Sequence, residues 1–183
     1  PGDEKPVPVI EDTAVDVHDL PGYIAEMNTL LRKHGLYSVH YAHAGSGELH
    51  LRPILDLKTS HGVKLFRTMA EETAKLVKKY NGSLSGEHGD GRLRGEFIPQ
   101  MIGEHNYKLI KELKEVWDPG NVFNPGKIVG TPPMDTNLRY QSDQGTKEFD
   151  TLLDFSETMG ILRAAEQCNG SGDCRKTEVS GGT

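Results

Sequence analysis

The sequence predicts an α+β fold, an antiparallel sheet with helices packed on one face, and three observations carry that expectation. Two alternating stretches, YSVHYAH and ELHLRPILDL, flank a Gly-rich AGSG turn in the manner of a β-hairpin. Apolar residues recur at three-to-four spacing in separate stretches before and after that hairpin, as on amphipathic helices. The elements run β-α-β-β-α with a further short strand, an order that suits an antiparallel sheet with its helices on one side.

In chain order, residues 6–17 (PVPVIEDTAVDV) read as a strand and a loop. Asp19 can cap a helix through Tyr23, Ile24, Met27, Leu30 and Leu31, which Gly35 ends. After the hairpin, Thr59 or Ser60 opens a long helix with Phe66, Met69, Ala70, Thr73, Val77 and Tyr80 on one stripe, and Asn81-Gly82 closes it. A Gly-rich segment, SLSGEHGDGRLRGEF, leads to a third helix carrying Tyr107, Ile110, Leu113 and Trp117, stopped by Asp118-Pro119-Gly120. This order resembles a ferredoxin-like layer. From Gly130 to Gln144 the chain is polar with no helical period, and residues 148–166 can form a short helix before the cysteines. The expected organisation is a domain over 1–130, a linker over 131–147 and an irregular C-terminal tail over 148–183.

The chain has 183 residues and a formal net charge of -6, which argues against non-specific nucleic-acid binding. No run approaches the ~20 apolar residues of a membrane span. Pro1-Gly2-Asp3-Glu4 has no signal-peptide pattern, and the chain stops abruptly at Ser180-Gly181-Gly182-Thr183, so it reads as a fragment of something longer. The 2 cysteines, Cys168 and Cys174, make no disulfide framework and point to a reducing, cytoplasmic setting.

Chemistry concentrates in YAHAGSGELHLRP, Tyr41 to Pro53. Strand side chains alternate, so register decides whether His43 and His50 meet. With Gly45-Ser46 as the loop, His43 pairs with Glu48 and His50 lies opposite Tyr41; with Ser46-Gly47, His43 faces His50 directly. Any even loop puts both rings on one side, with Tyr41, Glu48 and Arg52, while Ala42, Leu49 and Leu51 face the core. An odd loop separates them. The polar face is either a solvated sheet surface or half of a site. The other half is offered by GEHG, where Glu87 and His88 sit among glycines that let backbone approach closely. His43, His50 and Glu87 make a 2-His-1-carboxylate set suited to Zn²⁺ or another divalent ion. His88 would then be free to move a proton, as imidazoles do near neutrality. The plainer alternative is a turn glutamate and a surface histidine.

Three motifs in order, HAGSGELH, GEHGDG and DPGNVFNPGK, resemble the C-terminal, substrate-side domain of FAD-linked oxidases of the vanillyl-alcohol-oxidase type. That family includes glycolate oxidase, D-lactate dehydrogenase and D-2-hydroxyglutarate dehydrogenase, and the resemblance covers roughly Pro8 to Gly130. It implies a flavin-dependent oxidation of a D-2-hydroxyacid, with D-2-hydroxyglutarate and D-lactate as leading substrates. His43, His50 and Glu87 would be metal ligands and His88 the catalytic base. Asn124 would approach the flavin, and FAD would be held mainly by an upstream domain. Arg52 and Arg94 are the expected substrate-binding residues; Arg52 can fork onto a carboxylate or lie solvated on the sheet. The chain departs from the family pattern at Ser46 (usually Asp), Glu48 (Asn), Arg52 (often Asn) and Arg94 (Lys).

The tail CNGSGDCRK spaces Cys168 and Cys174 as the first and third positions of a cluster motif whose middle position is Ser171. The resemblance extends to large fused relatives, and implies a downstream [4Fe–4S] region and an electron acceptor, with a peripheral association at the inner membrane face as a further expectation. Two other readings stay open: a zinc hydrolase using the same ligands, and a non-catalytic docking module.

Overall fold

The computed structural model describes residues 2–175. The chain end at 180–183 lies outside the described residues. The chain divides into a larger unit, Glu4–Asp143, and a smaller one, Pro1–Asp3 with Gln144–Thr183.

The larger unit is α+β. Its antiparallel sheet has four described strands: β1 (Lys5–Pro6), β2 (Thr13–Ala14), β3 (Ser38–His43) and β4 (Glu48–Leu55). β4 is central, with β3 along one side and both β1 and β2 along the other. The stretch read as one strand and a loop is therefore a strand interrupted in the middle. Pro6 pairs with Ile54 and Thr13 with Leu49, so residues 7–12 span two positions more than the residues opposite them on β4. The surplus bulges out of the ladder. The break carries Glu11 and Asp12, both buried, and Asp12 adopts φ 79°, a left-handed conformation that Asp tolerates better than most residues.

Helices α1 (Leu20–Lys33) and α2 (Ser60–Lys79) cover the sheet's apolar face. α1 buries Tyr23, Met27 and Leu31 at four-residue spacing, and α2 buries Phe66, Met69, Ala70, Thr73, Ala74 and Val77. They pack on Leu49, Leu51 and Leu55 of β4, and each such side chain contributes roughly 1.5–3 kcal/mol when fully buried. The Tyr23 hydroxyl, deep in this core, donates to Thr13 Oγ1 at 2.8 Å and so is not left unpaired. Thr59 caps α2 by accepting from Gly62 N at 3.0 Å, whereas Asp19 precedes α1 without a side-chain cap bond.

Beyond α2, Asn81 turns with φ 51° and Ser83 forms a bridge to Ala14, which lays the Gly-rich segment beside β2. A short helix α3 (Ile98–Ile102) precedes α4 (Glu104–Trp117). α4 buries none of its residues; Leu109, Leu113, Val116 and Trp117 are all exposed, Trp117 by 79%. Residues 131–143 return to the larger unit: Met134 is buried and its N–H donates to Glu96, and Asp143 accepts from Ser60 N at the start of α2. In the smaller unit, Arg163 on α5 (Ile161–Glu166) pairs with Asp3 at 2.9 Å. No helix among the described residues is long and apolar enough to cross a membrane.

Candidate metal centre

The hairpin pairs Tyr41 with His50 and His43 with Glu48, the even register that places all four, with Arg52, on one face. Gly47 makes the turn possible. It sits at φ 75°, and a Cβ there would stand 1.9 Å from the carbonyl oxygen of Val15, the residue after β2, whose N–H donates to the Gly47 carbonyl at 3.0 Å. The ring of His50 is sandwiched between Tyr41 (centroids 5.0 Å apart) and His88 (5.4 Å), with His43 edge-on at 5.1 Å.

The downstream loop is fastened by Asp12. Its carboxylate accepts from the Ser85 hydroxyl and from the N–H groups of Glu87 and His88, both at 2.9 Å, while Gly86 N donates to the Asp12 carbonyl at 2.7 Å. Burial alone would push the Asp12 carboxyl up. The hydrogen bonds from Glu48, Ser85 and the two loop amides overcome that and hold it well below the ordinary carboxylate range. Glu48 is the other partner of this acid pair. Sharing with Asp12, then burial and the Glu87 charge, push it up to about 7.

The loop brings Glu87 Oε1 to 3.5 Å from His50 Nε2 and 3.6 Å from His43 Nε2. A tetrahedron of ligands about 2.1 Å from an ion has edges of about 3.4 Å, close to these two separations, and the donor atoms of all three residues lie within 4.8 Å of one another. On the other face of His50, Nδ1 lies 3.6 Å from Glu11 Oε1, beyond hydrogen-bond range, and has no hydrogen-bond partner among the described residues. Asp12, His50, Glu87 and His88 also converge, but the Asp12 oxygens are already taken by the loop amides, which favours the grouping of His43, Glu48, His50 and Glu87. His88 Nε2 lies 3.3 Å from Glu87 Oε1 with its side chain 45% exposed, beside the trio and open to solvent.

The two arginines are placed differently. Arg52 forks onto buried Glu11 (Nε to Oε2 2.6 Å, Nη2 to Oε1 2.8 Å), and this ion pair holds the Glu11 carboxyl below its ordinary range. The Arg52 side chain is 41% exposed, so it retains an open edge at the rim of the polar face. Arg94 is buried beneath the loop, where it donates to the carbonyls of Glu11 and Gly89. Its contacts are with backbone. Asn124, at φ 49°, lines a groove of 680 Å³ that runs from His88 and Gly89 along Ile110, Leu113, Trp117 and Phe123. Cys168 and Cys174 are free, exposed thiols, two of the four that a [4Fe–4S] cluster needs, so this chain alone does not fit a cluster.

Sequence reasoning missed Glu11 and Asp12 as parts of the site. The available signal was a pair of acids directly after the apolar VPVI, inside a stretch otherwise reading as a strand.

The chain is 38% identical over 181 residues to a D-2-hydroxyglutarate dehydrogenase of Pseudomonas putida and 35% identical over 175 residues to one of Pantoea ananatis; each match covers 94% of this chain and 17% of the relative. A D-lactate dehydrogenase of Archaeoglobus fulgidus is 29% identical over 128 residues, 70% of this chain and 28% of the relative. The chain thus spans about a sixth of the length of the first two relatives. Residues 1–128 match the family described as FAD linked oxidases, C-terminal domain, and the chain belongs to that family.

Proposed function

We propose that this chain is the substrate and metal side of a flavin-dependent dehydrogenase acting on a D-2-hydroxyacid, with D-2-hydroxyglutarate ahead of D-lactate. The observation that carries the reading is the convergence of His43 and His50 on Glu87 at close to tetrahedral-edge distances, with His88 beside them at the groove that Asn124 lines. When bound, a divalent ion would supply Lewis-acid polarisation of the substrate hydroxyl, and FAD, held mainly by an upstream domain, would supply the two-electron acceptor.

The chain's own residues divide the remaining work. His43, His50 and Glu87 would hold the ion, with the Glu11 carboxylate beside the far nitrogen of His50. His88 Nε2 takes the C2 hydroxyl proton as a hydride leaves C2, so the alcohol becomes a ketone. Arg52, already oriented by Glu11, offers its free edge to a second carboxylate, which is the ground for preferring a dicarboxylate substrate. Cys168 and Cys174 belong to an iron–sulfur segment completed by ligands from elsewhere; no electron-transfer step is assigned to this chain.

The test is dye reduction by the intact protein with D-2-hydroxyglutarate and D-lactate, before and after chelation. Chelation should abolish turnover and a divalent ion should restore it. An unchanged rate after verified metal removal sinks the metal reading, and no activity on any 2-hydroxyacid sinks the substrate class.

A further inference from the structure

We propose that Glu48 is an additional protein donor to the divalent ion, making the centre a set of two imidazoles and two carboxylates; this rests on the metal reading above. Glu48 lies one position before Leu49 on β4, and the pleat aims its side chain into the polar face rather than the core. That side chain is only 8% exposed. Its bond with Asp12 leaves Oε1 buried without a hydrogen-bond partner, an arrangement that native structures avoid unless something else occupies the position.

The orphan oxygen points at the ligand trio. Glu48 Oε1 is 3.9 Å from His50 Nε2, and the donor atoms of His43, Glu48, His50 and Glu87 all lie within 4.8 Å of one another. Gly86 holds the pose: a Cβ at that position would stand 2.8 Å from Oε1, so the loop backbone closes directly over the carboxylate. Two carboxylates would balance the charge of a divalent ion. Four protein donors leave room for substrate only on an ion that takes five or six ligands, so the ligand class is a divalent ion of higher coordination number, such as Mn²⁺, or five-coordinate Zn²⁺.

The experiment compares the intact protein with its Glu48→Gln variant after stripping with a chelator. Gln keeps the volume and removes the charge that a carboxylate donor brings to the ion. Mn²⁺ and Zn²⁺ are titrated back against a chromophoric competitor, and Co²⁺ is added separately as a spectroscopic probe. The expected result is an affinity roughly 10- to 100-fold weaker in the variant. Its Co²⁺ d–d bands should be stronger, as a coordination number lowered by one donor requires. Amide exchange at Glu87 and His88 should be unchanged. Equal affinities and identical Co²⁺ spectra would overturn the role of Glu48 while leaving the three-donor centre standing. Affinity lost together with faster exchange in the loop would also overturn it, since Glu48 would then act only through Asp12. Absence of stoichiometric metal binding by the unsubstituted protein would instead overturn the metal reading itself.

Discussion

Substituting Asp12 by Asn should release the loop that carries Glu87 and His88. The perturbation is clean, because Asn adopts the left-handed conformation of residue 12 (φ 79°) as readily as Asp does. From the loop, the carboxylate accepts three donors, Ser85 Oγ, Glu87 N and His88 N. An amide has one accepting oxygen. Kept in the place of Oδ2, it still serves Ser85 and His88, and the Glu87 N–H then meets an amide nitrogen. An unpaired donor costs about 1–3 kcal/mol, and turning the two surviving bonds from charged to neutral removes roughly another 0.5–1.5 kcal/mol each. The total is about 2–6 kcal/mol, which corresponds to a rise of roughly 30-fold or more in the opening of this loop.

Hydrogen–deuterium exchange at the Glu87 and His88 amides of the intact protein reads that opening directly. The pH dependence follows from the depressed carboxyl of Asp12. A carboxylate held below its unfolded value of about 3.9 contributes fully above that pH and loses its contribution as pH falls through the folded value. The gap between the two proteins should be flat from about pH 5 to 8 and narrow below about pH 4. A rise in exchange of less than about threefold at neutral pH, or a gap that widens in acid, would refute the reasoning.

Two further substitutions probe the frame around the centre. Gly47→Ala places a Cβ 1.9 Å from the Val15 carbonyl at a backbone φ of 75°. The left-handed conformation alone costs roughly 1–2 kcal/mol, and β2 must also shift, so thermal denaturation should register a loss above about 2 kcal/mol; a change within about 0.5 kcal/mol contradicts the turn assignment. For the Glu11–Arg52 fork, a double-mutant cycle with Glu11→Gln and Arg52→Gln should return a coupling of about 1–2 kcal/mol, kept modest by the exposed arginine, and additive single effects would show that the fork contributes nothing.

Much of this arrangement is legible in the sequence. The alternation in YSVHYAH and ELHLRPILDL, with an even Gly-rich loop, fixes which side chains share a face, and the structure has that register. The stripes of α1 and α2 likewise identify the core, because periodicity reports the apolar face of a helix. What covers a face is a different matter. α4 carries an apolar stripe as clear as theirs, and it is exposed. Alternation also places Glu48 beside His50 without revealing its burial, which comes from a loop about 38 residues away closing over it through Gly86. Asp12 is the least legible. Its role depends on bonds to residues 73 to 76 positions downstream, and no local pattern records such a pairing.

The two surplus residues between β1 and β2 give the protein a fault line between folding and chemistry. Shortening residues 7–12 by two would let the interrupted strand run unbroken along β4, regularising the sheet. The same deletion would displace Glu11, which lies against His50, and Asp12, which moors the loop of Glu87 and His88. Selection for a hardier fold and selection for a working centre therefore act in opposite directions on this one segment, and variants chosen for thermal resistance alone should tend to mend the ladder at the expense of the site.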